Sequence, residues 1–407
     1  MKPAIRWFFI LSMLSSSLVE LLKVTSTGVN AALVVLPLLI CLYQYGITAV
    51  RLGLDVLLMG ALTLVAAVIY ILYGMPTPAG QMRLVAYIFF LIFYCFSQIS
   101  LTQPNALESV CQAGFGGLAV YMFLVDITHP TDLMVSTVSL GERFFGLGNP
   151  NYHGVLAATG LMFASYLGRD RLGVPSFVRA LLLGLFWLNL WAPKSRGSWM
   201  ALAIYAAVFS LLQPFRYKKV VAVLVLAVTP LAYALRPSAD ALGTAGAGLR
   251  LDSESVSGRS DVTFEALDMA VRVGYRPFGL GSTPILKALT SMNAIDNSYL
   301  CMMLETGFWG LGVFAIFIVR TLSRGLRTCL SAENSAVLRD YRWAFAVFVA
   351  LVAHSMFESI IMSGLQLGSL LFLFCAALLN RPLTSRIPEP AYNSAPSALT
   401  GPQIVPA

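Results

Sequence analysis

Residues 54–74 read LDVLLMGALTLVAAVIYILYG, a run of apolar residues with a single charged side chain, Asp55. A helix needs about 20 mostly apolar residues to cross the hydrocarbon core of a bilayer. Runs of this kind recur along the chain, so the sequence predicts about twelve transmembrane helices. They lie near residues 7–22, 28–46, 54–74, 84–101, 109–127, 152–168, 176–192, 198–214, 219–235, 298–319, 343–361 and 364–380.

The composition is that of a membrane protein. Of the 407 residues, 58% are hydrophobic and 11% are charged, and the mean hydropathy is +0.77. A soluble domain carries roughly 25% charged residues, so this chain lacks the polar side chains that would cover a soluble core. The predicted fold class is therefore an all-α polytopic membrane protein. The six cysteines lie in apolar runs and form no CxxC motif, so neither a disulfide nor a metal site is predicted.

The predicted spans divide the chain into four parts. Residues 1–235 carry transmembrane helices 1–9, and residues 298–380 carry helices 10–12. Between them, residues 236–297 form one large polar loop, in which Ser260 as an N-cap and the helical spacing that follows predict a helix near 261–275. Residues 381–407 are rich in Pro, Ser and Ala and are predicted to be a disordered tail.

The charges in the short loops predict the orientation. With the N-terminus in the cytoplasm, most of the 27 Lys and Arg residues fall on the inner side, as the positive-inside rule requires. Both termini are then predicted to be cytoplasmic, and the 236–297 loop lies on the outer face. The net charge of +8 therefore does not indicate a nucleic-acid partner.

Most of the remaining cations fall in three outer segments, 128–151, 193–197 and 236–297. The charge rule disfavours cations there, and the Arg side chain suits bidentate contact with phosphate. We therefore predict an anion-binding site on the outer face. The alternative is that long translocated loops escape the charge rule and that several of these Arg side chains only face water.

Two cations adjoin predicted helix N-termini, where free N–H groups and the helix dipole favour anions. Arg196 follows Lys194 in a short outer turn, and Arg259 precedes the predicted loop helix. The alternative for Arg196 is a snorkelling side chain without a ligand. Arg276 lies about a helix length from Arg259, so the two need not share a ligand.

The segment from Arg143 to Gly154 contains several glycines and an Asn-Pro-Asn sequence ending at Asn151, which predict an irregular turn before a span. Non-helical backbone at membrane depth is tolerated where it lines a cavity or is buried in protein. His153, at the start of the following helix, is a possible ligand or base, although a lone imidazole there is more typical of a structural residue.

His354 and Glu358 are four residues apart in the predicted eleventh span and are expected to share one helix face. Ionisable residues inside a span are costly and usually mark function. The alternative is a buried His–Glu pair with a purely structural role.

Short motifs in residues 140–360 resemble the O-antigen ligase family (WaaL), within the wider Wzy/WaaL polymerase–ligase superfamily. The family places an Arg four residues before a Leu; here Arg196 precedes Met200 at that spacing. Its second signature is a His followed by Asn, Ser or Gln, then nine residues, Gly, two residues and Gly. In this chain Asp296-Asn297 is followed at that spacing by Gly307 and Gly310, with Asp296 in place of the His.

The resemblance implies a GT-C-like glycosyltransferase of lipopolysaccharide biosynthesis in the cell inner membrane. Such an enzyme transfers O-antigen from undecaprenyl diphosphate to a hydroxyl of the lipid A–core, with its active site facing the periplasm. Its partners would be these two substrates and inner-membrane lipids, without nucleic acid. The chain contains no phosphate-binding P-loop, and its three histidines lack a ligand spacing, so no cofactor or metal is predicted.

In this scheme fixed cations stabilise the departing diphosphate. The substrate-binding candidates are Arg196, Arg259, Arg143, Lys194, Asn151 and Arg276. One base activates the acceptor hydroxyl. An imidazole has an unperturbed pKa of about 6.5 and an Asp carboxyl of about 3.9, so His354 is preferred over Asp296, with Glu358 orienting it. A single displacement inverts the anomeric centre.

Three other functions remain open at this point. A polymerase of the same superfamily would extend the glycan on its lipid carrier, and a protein O-oligosaccharyltransferase would use a Ser or Thr acceptor. A secondary transporter would be expected to have broken helices with ions at the midplane.

Overall fold

The computed structural model describes Tyr43 and residues 51–73, 78–102, 105–138, 143–146, 149–168, 171–213, 266–282, 297–331, 336–359, 361–362 and 366–382. All regular elements within these ranges are α-helical. The predicted spans near 7–22, 28–46 and 219–235 lie outside the described residues, as does the predicted disordered tail beyond residue 382.

Ten helices with defined bounds are described, and residues 266–272 are also helical. The ten are α1 (Leu54–Tyr73), α2 (Pro78–Ser100), α3 (Ala106–Thr128), α4 (Pro130–Val138), α5 (Pro150–Leu167), α6 (Ser176–Trp191), α7 (Arg196–Leu212), α8 (Ser298–Leu330), α9 (Ala336–His354) and α10 (Leu367–Leu379).

Helices α1, α2, α3 and α8 are long and apolar enough to cross a membrane, while α6, α7 and α10 are apolar but shorter. On α1 the side chains of Leu57, Leu64 and Ile71, spaced seven residues apart, are 60%, 64% and 78% exposed. In water this stripe would be unfavourable, whereas lipid tails can cover it. The described fold is therefore that of a helical membrane protein.

Helix α10 lies at the centre of the helix bundle, because all of its residues are buried. It packs against α2, α8 and α9. The Phe372 ring stacks on Phe348 with 4.8 Å between centroids and lies 5.9 Å from Phe314 of α8. A helix that is apolar all round is stable only when other elements or lipid surround it.

Helix α9 joins the two sides of the bundle. It contacts α10 and α8 on one side and α7 on the other, and α7 in turn packs against α5. Trp343 of α9 is fully buried and stacks on Phe163 of α5 at 5.9 Å. Its indole Nε1 donates a hydrogen bond to the carbonyl of Met162 at 2.9 Å, so the polar end of this large side chain is satisfied.

Helix α8 is interrupted at Gly307, which has φ 65° and ψ −168°. The backbone groups released by the break are paired with residues 275–278. Phe278 N donates to Leu304 O at 2.8 Å, and Phe308 N donates to Tyr275 O at 3.2 Å. This segment therefore replaces the helical hydrogen bond between Leu304 and Phe308, as buried backbone requires.

Helix α9 ends at His354, seven residues before the predicted end of the eleventh span at 361. The expectation that Glu358 continues this helix is therefore wrong. Two carbonyls beyond the helix bond to the start of α8 instead: Ser298 N donates to Ser355 O at 3.0 Å, and Asn297 Nδ2 donates to Met356 O at 2.9 Å. These contacts hold residues 355–358 as a turn.

Candidate functional site

The start of α5 is fixed by the Asn-Pro-Asn sequence. Asn149 is the N-cap, and its Oδ1 accepts hydrogen bonds from the backbone N–H of Asn151 at 2.9 Å and of Tyr152 at 3.3 Å. Pro150 occupies the first helical position, where a missing N–H costs nothing. This cap places the Asn151 side chain at one end of the bundle.

Asn151 connects two charged residues that are far apart in the sequence. Its Nδ2 donates to Glu358 Oε1 at 2.7 Å, and its Oδ1 accepts from Arg143 Nη2 at 2.7 Å. Arg143 Nε also donates to the carbonyl of Pro193 at 2.9 Å. We call this Arg143–Asn151–Glu358 chain the amide bridge. Because both ends of the Asn151 amide are used within the protein, this residue is better described as positioning Arg143 and Glu358 than as a direct substrate ligand.

The start of α7 is capped by Ser195, whose Oγ accepts from Ser198 N at 3.4 Å and from Ser198 Oγ at 2.8 Å. Ser198 Oγ is also within 3.3 Å of the carbonyl of Asn151, which ties α7 to α5. Arg196 is the first residue of α7, as its predicted position at a helix N-terminus requires. Lys194 precedes the cap in the left-handed conformation, with φ 53°.

Gly197 brings α7 against His354 and Glu358. A Cβ at position 197 would lie 2.9 Å from His354 Nε2 and 3.6 Å from Glu358 Cγ. His354 is fully buried, and Glu358 is buried as well. Both residues therefore face the same point of α7, although Glu358 is not helical. Any larger residue at 197 would separate His354 from the helix.

The start of α8 is fixed beside the same segment. Asn297 is the N-cap of α8, and its Oδ1 accepts from the backbone N–H of Tyr299 and Leu300 at 2.9 and 3.0 Å. Ser298 Oγ donates to the carbonyl of Glu358 at 3.2 Å. Asp296, the alternative base, lies outside the described residues, but the residue that follows it is anchored to the turn after His354.

The predicted substrate-binding cations do not all lie at the end of the bundle that holds the amide bridge. Arg143, Lys194 and Arg196 all adjoin the amide bridge or the start of α7. Arg276 is exposed and belongs to the segment inserted at the break in α8. Arg259 lies outside the described residues, so its predicted contact with the diphosphate stays a prediction.

Arg143 also lines a cavity of about 230 Å³. Asp132 of α4 lines the same cavity, together with Val135 and residues 144–146. An acidic and a basic side chain thus share this space, so the cavity is not uniformly attractive to anions.

His153 is buried next to Phe144 and Gly146, which line this cavity. Its Nε2 is 2.7 Å from Asn189 Oδ1, and Asn189 Nδ2 donates to Asp126 Oδ2 at 2.8 Å. The Phe144 ring meets the imidazole edge-on at 5.2 Å. Gly146 has φ 58°, and a Cβ there would approach His153 Nδ1 to 2.6 Å. His153 therefore supports the loop that carries Arg143.

Three features of the site were missed by sequence reasoning. They are the role of Gly197, the amide bridge, and the Asp126–Asn189–His153 chain. A glycine directly after Arg196 at a helix start was the available signal for the first, because glycine is a poor helix former. Within the described residues no group of three or more His, Cys, Asp or Glu side chains is arranged to hold a metal ion.

Comparison of the sequence with protein-family models gives no match, and comparison with curated proteins gives none either. The function is therefore inferred from the geometry of these residues and from the motif resemblance.

Proposed function

We propose that this protein is an O-antigen ligase of the cell inner membrane, with about twelve spans and a large periplasmic loop at residues 236–297. It transfers a glycan from undecaprenyl diphosphate to a hydroxyl of the lipid A–core. The observation that carries the proposal is a convergence at one end of the bundle. Three separate parts of the chain meet here: Asn151 bonds both Arg143 and Glu358, and Gly197 lies against His354 and Glu358. Arg196 directly precedes Gly197 at the start of α7.

The charges at this end suit a lipid diphosphate. Arg196 is the first residue of α7, where the helix dipole and free backbone N–H groups add to the attraction of its guanidinium for an anion. Arg143 is held at the same end of the bundle by its bonds to Asn151 and to the carbonyl of Pro193, and the planar guanidinium of Arg suits contact with phosphate. Fixed cations of this kind stabilise the charge that develops on a leaving group without reorganising during the reaction. Lys194 and Arg259 complete the proposed diphosphate contacts.

The acceptor hydroxyl needs one base. His354 is our first choice because imidazole titrates near neutral pH. Its Nε2 lies close to the start of α7, because residue 197 is a glycine and has no Cβ to fill that space. Glu358 borders the same point and is held in place by Asn151. Asp296 is the second choice, since Asn297 is anchored at Met356, two residues after His354.

The proposed reaction is a single displacement. The base takes the proton of the acceptor hydroxyl, and the hydroxyl oxygen forms a bond to the anomeric carbon. The bond between that carbon and the diphosphate oxygen breaks, and its electron pair leaves with undecaprenyl diphosphate. The configuration at the anomeric carbon is inverted, and neither a nucleotide nor a metal is required.

The test is a gel of surface and lipid-linked glycans from cells that lack the protein. Loss of a ligase leaves lipid-linked polymer and removes capped core, as we expect here. Loss of a polymerase leaves a single repeat unit, and loss of a protein O-oligosaccharyltransferase removes glycan from proteins only. An unchanged gel together with lost solute uptake would favour a transporter and end the proposal.

A further inference from the structure

A second polar cluster lies at the end of the bundle opposite to the amide bridge. Asp55, in the first turn of α1, is only 3% exposed. Its Oδ2 accepts hydrogen bonds from Tyr94 Oη and from Gln98 Nε2, each at 2.7 Å. Both donors belong to the last two turns of α2. The carboxylate is thus buried between two helices.

Two further helices join this cluster through Asn380, the C-cap of α10. Its Nδ2 is within hydrogen-bond distance of Thr321 Oγ1 of α8 at 2.9 Å and of Tyr94 Oη at 3.3 Å. Thr321 is 23 residues beyond the start of α8, a distance of roughly 30 Å at the rise of an α-helix. The cluster is therefore remote from His354 and Glu358.

Two buried oxygens of the cluster have no donor within the part of the chain that the structure describes. Gln98 Oε1 and Asn380 Oδ1 are inaccessible to solvent and have no hydrogen-bond partner among the described residues. Turning the Gln98 amide over would not help, because its oxygen would then face the Asp55 carboxylate. Buried acceptors without a partner are costly, and each one requires a physical explanation.

The negative charge of the Asp55 carboxylate also indicates that the cluster needs a further ligand. Among the described residues Asp55 forms no ion pair, and its hydrogen bonds are those to Tyr94 and Gln98. Arg51, four residues before Asp55, is exposed, and the guanidinium of Arg381, next to Asn380, contacts the carbonyl of Leu101 at the end of α2. The C-terminal ends of α2 and α10 meet here, and helix C-termini favour positive charge. Buried charges in proteins are generally paired with an opposite charge or coordinate a metal ion.

We propose that a monovalent alkali cation, Na⁺ or K⁺, binds between Asp55, Gln98 and Asn380. All the available ligands are oxygens of carboxylate, amide and hydroxyl groups, which suit hard cations. The single carboxylate balances one positive charge, whereas a divalent ion would leave a net charge in the protein interior. The cation would join α1, α2, α8 and α10. This proposal does not depend on the glycosyltransferase function.

The test is thermal unfolding of the purified full-length protein in detergent, with choline chloride replaced by NaCl or KCl at constant ionic strength. We expect a saturable rise of Tm by about 2–4 °C, as mass action requires for a ligand of the folded state. Asp55→Asn should remove the rise. The matched control is Asp268→Asn, which removes an exposed carboxylate of the 266–272 helix and should keep the full response.

A second variant covers the case in which Asp55→Asn does not fold. Asn380→Asp adds a carboxylate to the cluster, so its Tm should rise with Ca²⁺ while that of the natural protein does not. Equal Tm values in choline, Na⁺ and K⁺ for the natural protein would overturn the proposal and indicate bridging water or a protonated Asp55. An undiminished alkali response in Asp55→Asn would overturn it as well.

Discussion

Gly197 of α7 lies directly against the imidazole of His354, so that a Cβ at this position would come within 2.9 Å of Nε2. The two residues are 157 positions apart in the sequence, and their contact joins the start of α7 to the end of α9. Because glycine has no Cβ, it allows this contact one residue after Arg196.

Gly197→Ala should abolish glycan transfer while leaving the protein folded. Alanine is the better helix former by about 1 kcal/mol, so local stability favours the variant, but the added methyl group must displace His354 or Glu358. The matched control is Gly184→Ala in α6, where an added Cβ meets nothing within 4 Å. Transfer by membrane fractions of both variants is the measurement. Equal activity of the two would mean that the Gly197–His354 contact has no catalytic importance.

The amide bridge is expected to depend on the donor end of Asn151. Asn151→Asp replaces the Nδ2 donor by a carboxylate oxygen 2.7 Å from Glu358 Oε1. We expect a loss of about 1–3 kcal/mol in the free energy of unfolding, together with lower transfer. Adding Glu358→Gln should recover the stability, because its amide can donate to the new carboxylate. A double variant no more stable than Asn151→Asp would argue against this bond.

Arg196→Ala should lower the transfer rate by about 100-fold, the usual effect of removing one group that stabilises a developing negative charge. Arg196→Lys should recover only part of it, because an ammonium cannot form the bidentate contact. The control is Arg272→Ala, whose exposed partner Asp268 lies one helical turn away; it should change the rate by less than about twofold. Near-normal transfer in both Arg196→Ala and Arg259→Ala would remove the diphosphate contact from the mechanism.

Two substitutions distinguish His354 from Asp296 as the base that activates the acceptor hydroxyl. His354→Gln keeps most of the buried volume at a fully buried position and should abolish transfer without lowering Tm by more than a few degrees. Asp296→Asn should retain transfer. The reverse result, with active His354→Gln and inactive Asp296→Asn, would assign the base to Asp296.

Gly307→Ala should destabilise the break in α8 by about 1–2 kcal/mol, since φ 65° is a left-handed conformation that residues with a Cβ adopt at a cost. The Cβ would also meet Pro277 Cδ at 3.0 Å. Gly312→Ala, in the same helix with open space around it, is the control and should be neutral or stabilising. Denaturant unfolding compares them, and equal stability of the two variants would show that the break is not needed.

Much of the helical framework could be predicted because apolar runs have clear ends. The prediction of 54–74 differs from α1 by one residue, and that of 176–192 from α6 by one residue. The end of α9 could not be predicted in this way. It is set by the bonds of Ser298 and Asn297 to carbonyls more than fifty residues away in the sequence, and no local pattern reports such contacts.

In the candidate site, the individual residues could be predicted from the sequence but their arrangement could not. Arg196, Asn151 and Glu358 were found from local signals: a cation at a helix start, a polar turn and a charge within an apolar span. Their arrangement was not found, because Asn151 and Glu358 are 207 residues apart. The four-residue spacing predicts that Glu358 shares a helix face with His354. In the structure Glu358 instead lies in the turn after α9 and is held by its bond to Asn151.

Reconstitution tests the proposed glycan transfer most directly. The purified protein in lipid nanodiscs receives undecaprenyl-diphosphate-linked glycan and lipid A–core, with EDTA and without nucleotide, and the products are separated on a gel. We predict glycan-capped lipid A–core with inverted linkage. Glycan that grows only on its lipid carrier, or unchanged substrates with a folded protein, would contradict the account.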